Sequence, residues 1–492
     1  MKKIGASLLL AGLVSAAVAQ TNAPVTRSLS LQDCIAEALK HNFDVRVERY
    51  EPQKSLLDLH AAYAGYDPTF NLSGTHYHNE VGGFGGTSGT NGVAQSDDNS
   101  FSSGLGGTLP LGTTYALSGQ IADYYNPAPE SASGQIGVSA TQPLLQNFWI
   151  DKTRLAISAA KNALKNSEQG LRAQLITTVT AVENAFYELI FAQENLQVQQ
   201  QALDLSQTQL DQDRQRVQIG SIAERAGTIE QDEAQVAQNR AALIAAQYTL
   251  ASDENALKNF ITDDYLQWHD VDIEPAGTLE AVRQFFDVQD SWSKGLSARP
   301  DLLQAKLTLE QQGIQLKYDR NQIFPQLNLT GSYGYNGAGN GYNDTFGQYA
   351  TANRPFYSYG AALSMPLSNI GPRNNYKADK AVEQQYLLKL KQLEQNIMVQ
   401  IDDDVKLCKS DWESVQASKQ QRIYAEAALN AEQKKYSVGK STTFIVLQLQ
   451  NNLTAARSQE IRELANYNKD LATLAQDEGS TLERRNVDVT VK

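Results

Sequence analysis

Three stretches carry residue types that could do chemistry. His76, His78 and Glu80 alternate along the chain, and the two-residue period of a strand would put all three on one face. Two imidazoles and a carboxylate can hold a transition metal. Yet the stretch runs straight into VGGFGGTSGTNG, a poor scaffold for a preorganised site, and the chain has only five His. These residues therefore read as exposed polar groups at a strand end. Asp402, Asp403 and Asp404 form the sharpest charge run. Such a run can attract cations if it rings a channel, or it can be a solvated helix face, since three successive helical residues point in different directions. GGFGG (Gly82 to Gly86) lacks the Lys-Ser/Thr and the helix of a phosphate loop. No nucleophile elbow, zinc spacing or Ser-His-Asp pattern stands out. The expectation is a non-enzyme with no cofactor and no metal.

The elements that would have to position any site come next, beginning with the compartment. Lys2 and Lys3 form a charged start, Ile4 to Val14 a short apolar core, and Ala17-Val18-Ala19 a cleavage signal, so residues 1–19 read as a signal peptide. After its removal no apolar run of spanning length is expected, and the mean hydropathy is −0.42. An outer-membrane barrel stays open, because it hides its apolar face in alternate residues. Cys34 and Cys408 make no disulfide framework, and Cys408 falls on an apolar helical stripe. The net charge of −13 becomes −15 once Lys2 and Lys3 leave, which argues against nucleic acid as a partner.

Two textures alternate along the rest. Segments rich in Gln, Ala and Leu have helical periodicity. Leu175, Val182, Leu189, Leu196, Leu203, Leu210 and Val217 recur every seven residues, a left-handed coiled-coil signal. The companion seam of Thr178, Ala185, Ala192, Gln199, Ser206 and Asp213 is small and polar, which suits a helix packed in a cylindrical array. From Lys152 to Ile219 only Gly170 interrupts, giving a rod of roughly 100 Å at 1.5 Å per residue. Ile397, Ile401, Val405, Cys408, Trp412 and Val415 mark one face of a second long helix. RVQIGS and YSVGKS interrupt the two blocks at matching places, and Gly220 and Gly439 there read as helix caps. Each block is thus a hairpin of two helices.

The other texture is rich in Gly, Ser, Thr and Tyr and has period two. Leu327, Leu329, Tyr333 and Tyr335 share one face, with Gln326, Asn328, Thr330 and Ser332 on the other. Five further segments alternate in the same way: from Thr69, Phe101 to Leu109, Tyr115 to Ile121, Ile136 to Ala140, and Tyr357 to Met365. A soluble β-sandwich with one wet face would alternate too. Here the wet face carries almost no charge, and Tyr and Phe crowd the strand ends as in an interfacial girdle. An open sheet edge cannot face lipid, so six strands per chain imply a barrel shared between copies. DPTFNLSGTHYH (Asp67 to His78) and FPQLNLTGSYGY (Phe324 to Tyr335) open the two strand segments 257 positions apart, which marks an internal two-fold repeat.

The order of these pieces resembles the TolC-type outer-membrane efflux factors over nearly the whole mature length. LSLQDCIAEALKHNFDVRV is similar to that family's first helix, with His41-Asn42-Phe43 where Asn-Asn-Pro is common. RPDLLQAKLTLEQQGIQLKYDRNQ opens the second repeat, and YSVGKSTTFIVLQLQNNLTAAR resembles its periplasmic helix turn. The resemblance implies a mixed α+β membrane protein: a homotrimeric outer-membrane β-barrel, four to six strands per protomer, continued by a long periplasmic α-helical barrel. It implies outer-membrane lipid, a periplasmic adaptor and an inner-membrane pump as partners, and passive export in a tripartite efflux or type I secretion system. A structural coiled-coil protein tethering the outer membrane is the alternative. Exported substrate and pump class stay open.

Two departures from the family matter. Its members usually have two strands per repeat, whereas the first repeat here has room for four. The extra hairpin either spans, giving eighteen strands per trimer in place of twelve, or forms a plug, rim or tongue. At the periplasmic tip, the family's Tyr falls on Tyr436 beside Gly439, but its Arg falls on Ser441 and its two Asp on Ile445 and Gln448. The charged latch is largely absent, so the tip is expected to close by apolar packing around Ile445, with Gln448 lining the pore, unless Ile445 faces a neighbouring helix. Gly220, Glu224 and Arg225 form the matching turn of the first repeat. The expected organisation is signal peptide 1–19, N-terminal periplasmic helices 20–66, strands 67–146, helical hairpin 147–260 and an equatorial linker 261–297. A second series follows: helix 298–323, strands 324–368, helical hairpin 369–477 and a tail 478–492.

Overall fold

The computed structural model describes residues 25–82, 93–126, 129–218 and 228–487. The leader, most of the Gly-rich loop, and the turn holding Gly220, Glu224 and Arg225 lie outside the described residues. In chain order come β1 (Val25–Leu29), α1 (Leu31–His41), α2 (Phe43–Glu48) and α3 (Tyr50–Ala62). Strands β2 (Thr69–Gly82), β3 (Val93–Thr108), β4 (Thr114–Asn126) and β5 (Ser131–Pro143) lead into α4 (Lys152–Gln218) and α5 (Thr228–Ile261). Then follow α6 (Tyr265–Trp268), β6 (Val271–Pro275), α7 (Val288–Ala298) and α8 (Pro300–Gln322). Strand β7 (Gln326–Gly339), α9 (Tyr342–Thr351), β8 (Pro355–Ser364), α10 (Ile370–Ser437), α11 (Thr443–Asp477) and α12 (Thr481–Arg484) complete it. The chain divides into two compact units, one of residues 1–42, 181–283 and 410–469, the other of 43–180, 284–409 and 470–492.

The second unit holds the sheet. All six long strands join in one antiparallel sheet ordered β2-β3-β4-β5-β7-β8. Directly opposed residues share a face, so one ladder can be followed across it: Phe70, Leu105, Leu117, Val138, Tyr333 and Tyr357. Every rung is apolar, and each is between 40% and 75% exposed. Three residues along, on the opposite face, the ladder reads Ser73, Ser102, Gln120, Gln135 and Asn336, polar and uncharged. The two faces thus differ in solvent preference, and β2 and β8 leave the two edges unpaired. The strands of the first segment all lie in the same sheet as β7 and β8.

Strand-to-helix junctions in this unit are set by polar side chains. Asn147 and Asn369 both adopt left-handed backbone (φ 65° and 44°), a conformation in which Asn is tolerated better than most residues. Arg154 donates to the carbonyls of Asn147, Phe148 and Trp149 at 2.8–3.0 Å and pairs with Asp151, tying off the turn from β5 into α4. Before β8, α9 lies over the apolar sheet face, where Tyr342 meets the Phe101 ring edge-on at 5.9 Å and Tyr349 donates to the Gln120 carbonyl. The alternation reads residues 324–368 as strands, and α9 lies between the two. Its pattern, YNDTFGQYAT, is short and Gly-interrupted, and tertiary packing on the sheet overrides its weak propensity.

In the same unit α7 packs on α10 through a missing side chain. A Cβ on Gly295 would lie 2.5 Å from Ile401 Cδ1 and 3.3 Å from Ile397 Cγ2. Both Ile are buried, Trp292 donates to the Met398 carbonyl at 2.9 Å, and Arg299 pairs with Asp477 at 3.4 Å.

The first unit contains a small parallel pair, β1 with β6, registered from Val25 opposite Val271 to Leu29 opposite Pro275. This pair adds one strand to the helices of residues 20–66 and one to the linker of residues 261–297. Five-residue strands 246 positions apart leave no local hairpin signal to find. Ser30 then opens α1 with a reciprocal capping box to Asp33. Cys34 on α1 is fully buried, and burial pushes its thiol up to about 12, which makes it inert. Cys408, on the buried face of α10 in the other unit, is also a buried thiol. One further correction concerns α4, which contains an 18-residue window apolar enough to cross a membrane, with mean hydropathy 1.2. Two-thirds of that window (67%) is buried within the protein, as the heptad positions Val182 and Leu189 are, so packing and not lipid accounts for it.

Candidate functional site

The residues singled out at the α10–α11 turn lie together in the first unit. Helix α10 stops because Gly439 takes φ +75°, where a side chain is strained. The Gly439 N–H donates to the Tyr436 carbonyl at 3.0 Å and the Lys440 N–H to the Lys435 carbonyl at 2.9 Å, the paired bonds of a Schellman cap. Ser441 donates to Glu432, which also holds Lys435. Ser441, where the family has an Arg, is therefore a local turn contact. Beyond it Val446 is fully buried and clusters with Leu429 and Leu453, with Leu205, Tyr436 and Leu449 around them. Ile445, Gln448 and Phe444 are exposed on α11.

Tyr436 is the centre of a polar knot that the sequence pattern did not reveal. Its hydroxyl donates to Asp213 Oδ2 of α4 at 2.8 Å and lies 2.8 Å from Thr443 Oγ1. The same carboxylate oxygen accepts from Gln209 Nε2 at 2.8 Å and from Thr443 at 3.3 Å. Arg216 stacks over the Tyr436 ring at 4.9 Å and reaches Asp213 Oδ1 at 3.6 Å. Burial, with the Asp213 charge beside it, pushes the Tyr436 phenol up to about 12. Asp232 of α5 is buried next to Asp213, and burial followed by that neighbour's charge raises its carboxyl to about 7. The available signal was an Asp at the buried companion position of the α4 heptads. Its partners could not be read, because they come from three other helices.

Further along the first unit, polar pairs bind the helices together. Gln235 and Asn451 exchange amide hydrogen bonds at 2.8 and 2.9 Å. Glu188 takes Arg462 at 2.7 Å and Lys469, and although burial pushes its carboxyl up, these two donors outweigh it and hold it below the usual range. Arg462 also sits 3.4 Å over the Phe191 ring.

The other candidates scatter. Asp402 pairs with Lys406, Asp403 is exposed, and Asp404 is turned toward Asp477 of α11. The three carboxylates meet three different surroundings. His78 is held by Asp97 with Glu80 at 3.6 Å, while His76 meets Asn99 at 2.9 Å. Among the described residues no group of three or more His, Cys, Asp or Glu is arranged to hold a metal ion. A groove of about 790 Å³ beneath α9 is walled by Leu72, Ile136, Val138, Tyr335 and Phe346 and brings together no acid–base pair.

With an amphipathic six-stranded sheet and two long helical hairpins in view, the comparison with known proteins is decisive. The outer membrane efflux protein family matches residues 34–261 and 292–479. The chain belongs to that family. Among relatives, the pyoverdine export outer membrane protein OpmQ of Pseudomonas aeruginosa is 25% identical over 361 residues, covering 70% of this chain and 69% of that protein. The outer membrane protein TolC of Salmonella enteritidis is 24% identical over 287 residues, 58% of this chain and 57% of its own length. The crystal structure of VceC from Vibrio cholerae superposes with a TM-score of 0.67 at 18% identity, covering 91% of this chain and 96% of that one. As an outer membrane efflux protein, this chain is an outer-membrane channel protein with a periplasmic helical portion, and its relatives are channels, not enzymes.

Proposed function

We propose that this outer membrane efflux protein is the passive outer-membrane duct of a tripartite efflux or type I secretion system. It works as a homotrimer joined to a periplasmic adaptor and an inner-membrane pump. The observation that carries the reading is the six-stranded sheet with one apolar face, one uncharged polar face and two bare edges. In hydrocarbon each unpaired backbone group costs several kcal/mol, so a lipid-facing sheet has to close. Copies related by cyclic symmetry close it edge to edge, β8 of one against β2 of the next. Three copies then give eighteen strands, an even number within the range of bacterial barrels, with the Ser, Gln and Asn ladder lining the lumen.

The helical hairpins continue the duct through the periplasm, and the α10–α11 turn forms its inner tip. There Ile445 and Gln448, exposed on the protomer, face the axis. Energy and selectivity come from the pump and adaptor. A density map of the purified protein tests the assembly: eighteen strands around one threefold axis are expected, and twelve would remove the extra hairpin from the wall. In planar bilayers a steady pore is expected, and a protein that binds vesicles without conducting would point to a tether instead.

A further inference from the structure

Two carboxyls from different helices are buried side by side at the end of the first unit that carries Tyr436. Asp213 of α4 is fully buried, and its Oδ2 is ringed by Gln209, Tyr436 and Thr443. Among the described residues its Oδ1 has no hydrogen bond, only Arg216 at 3.6 Å. Asp232 of α5 is 1% exposed, and among the described residues neither of its oxygens meets a donor. Of the neighbouring charges only Arg216, among the described residues, reaches the pair, at Asp213, and the others are engaged elsewhere. Arg216 is stacked on Tyr436, Arg214 of α4 pairs with Glu233 of α5 at the surface, and Lys435 of α10 pairs with Glu432. Helix α11 contributes Thr443, which is not titratable. Two ionised carboxylates cannot both persist in such a place, because like charges repel and a dry carboxylate without donors is costly. One proton between them removes the repulsion and supplies the missing hydrogen bond.

We propose that Asp213 and Asp232 hold one proton between them, and that this proton is the clasp of the periplasmic tip. While it is present, α4 and α5 stay together and Asp213 stays seated on Tyr436 and Thr443. When it is lost to solvent base, the pair repels and Tyr436 is released. This rests on the duct reading above, with the tip as its gate.

The sign follows from where the proton binds. Burial first, then the Asp213 charge, lifts the Asp232 carboxyl from its ordinary 3.8 to about 7. The closed form therefore holds a proton that an open, solvated form releases at about 3.8. Closure is strongest below that value and is lost as the pH rises through about 7.

Single-channel recording across pH tests this. Between about pH 5.5 and pH 8.5 the opening equilibrium should rise about thirtyfold per protomer. Asp232→Asn, whose amide can donate to Asp213, should stay closed throughout and lose the pH dependence. Infrared difference spectra read the proton without a pore: the protonated-carboxyl signal lost between acid and alkali should be weaker by one carboxyl in Asp232→Asn, with the Asp404 contribution remaining. A wild-type protein that fails to conduct refutes the duct, while the infrared band still judges the shared proton. The clasp is overturned if Asp232→Asn opens with pH as the wild type does, or if its acid-minus-alkali carboxyl signal is as strong as that of the wild type. It is also overturned if calcium, not acid, closes the tip in an Asp232-dependent way.

Discussion

Replacing Tyr436 by Phe removes one hydroxyl and leaves the ring under Arg216 in place. In the native knot that hydroxyl donates to Asp213 Oδ2 at 2.8 Å, joining α10 to α4. A hydrogen bond to a charged acceptor contributes about 1.5–3 kcal/mol. Asp213 is not orphaned in the variant, because Gln209 donates at 2.8 Å and Thr443 at 3.3 Å to the same oxygen. Thr443, freed from Tyr436, can turn fully to the carboxylate. The lower end of the range therefore applies, about 1.5 kcal/mol, or roughly tenfold in the opening equilibrium. Single-channel open probability at fixed voltage and pH is the direct assay. Thr443→Val alone should do less, since its bond to Asp213 is longer. The double variant should exceed the sum of the two, because Oδ2 then keeps only Gln209. If Tyr436→Phe opens no more often than the wild type, or if the two substitutions simply add, the knot does not hold the tip.

Ile445→Asp would place one carboxylate per protomer on the exposed face of α11; block of the current by divalent cations is expected, and unchanged conductance and block would refute pore lining. Gly295→Ala should lower stability by about 0–2 kcal/mol, the crowding of Ile401 offset by Ala's better helix propensity; Ile401→Val, which deletes the crowding Cδ1, should be milder in that background than alone, and additive thermal midpoints would refute the contact. Burial, with Asp477 beside it, raises the Asp404 carboxyl to about 7, so its stabilising proton is fully held below the ordinary 3.8 and lost as pH rises through about 7. The thermal midpoint should accordingly fall between about pH 5.5 and pH 8.5, and a fall just as steep in Asp404→Asn would place its origin elsewhere.

What the sequence determined by itself was the kind of each segment, because period is a local property. Alternation in QLNLTGSYGY makes a strand wherever that strand ends up, and Leu327 and Leu329 share a face by pleat alone. Seven-residue spacing from Leu175 to Val217 makes a long helix with one buried stripe, and Gly439 breaks the next one through its own backbone freedom. Local patterns of this sort also carried the family resemblance. Only the tertiary structure decided which charges are buried together. Asp213 stood in a polar heptad seam, but nothing near it in the chain says that Asp232, Tyr436 and Thr443 converge there from three further helices. Asp404 likewise looked like one of three equal carboxylates until α11 brought Asp477 to it alone. The β1–β6 pair shows the same limit, since Val25 and Val271 each belong to a stretch too short to announce a strand without the other. Periodicity tells a residue which way to face, whereas the cost of a buried charge depends on what the rest of the chain places opposite it.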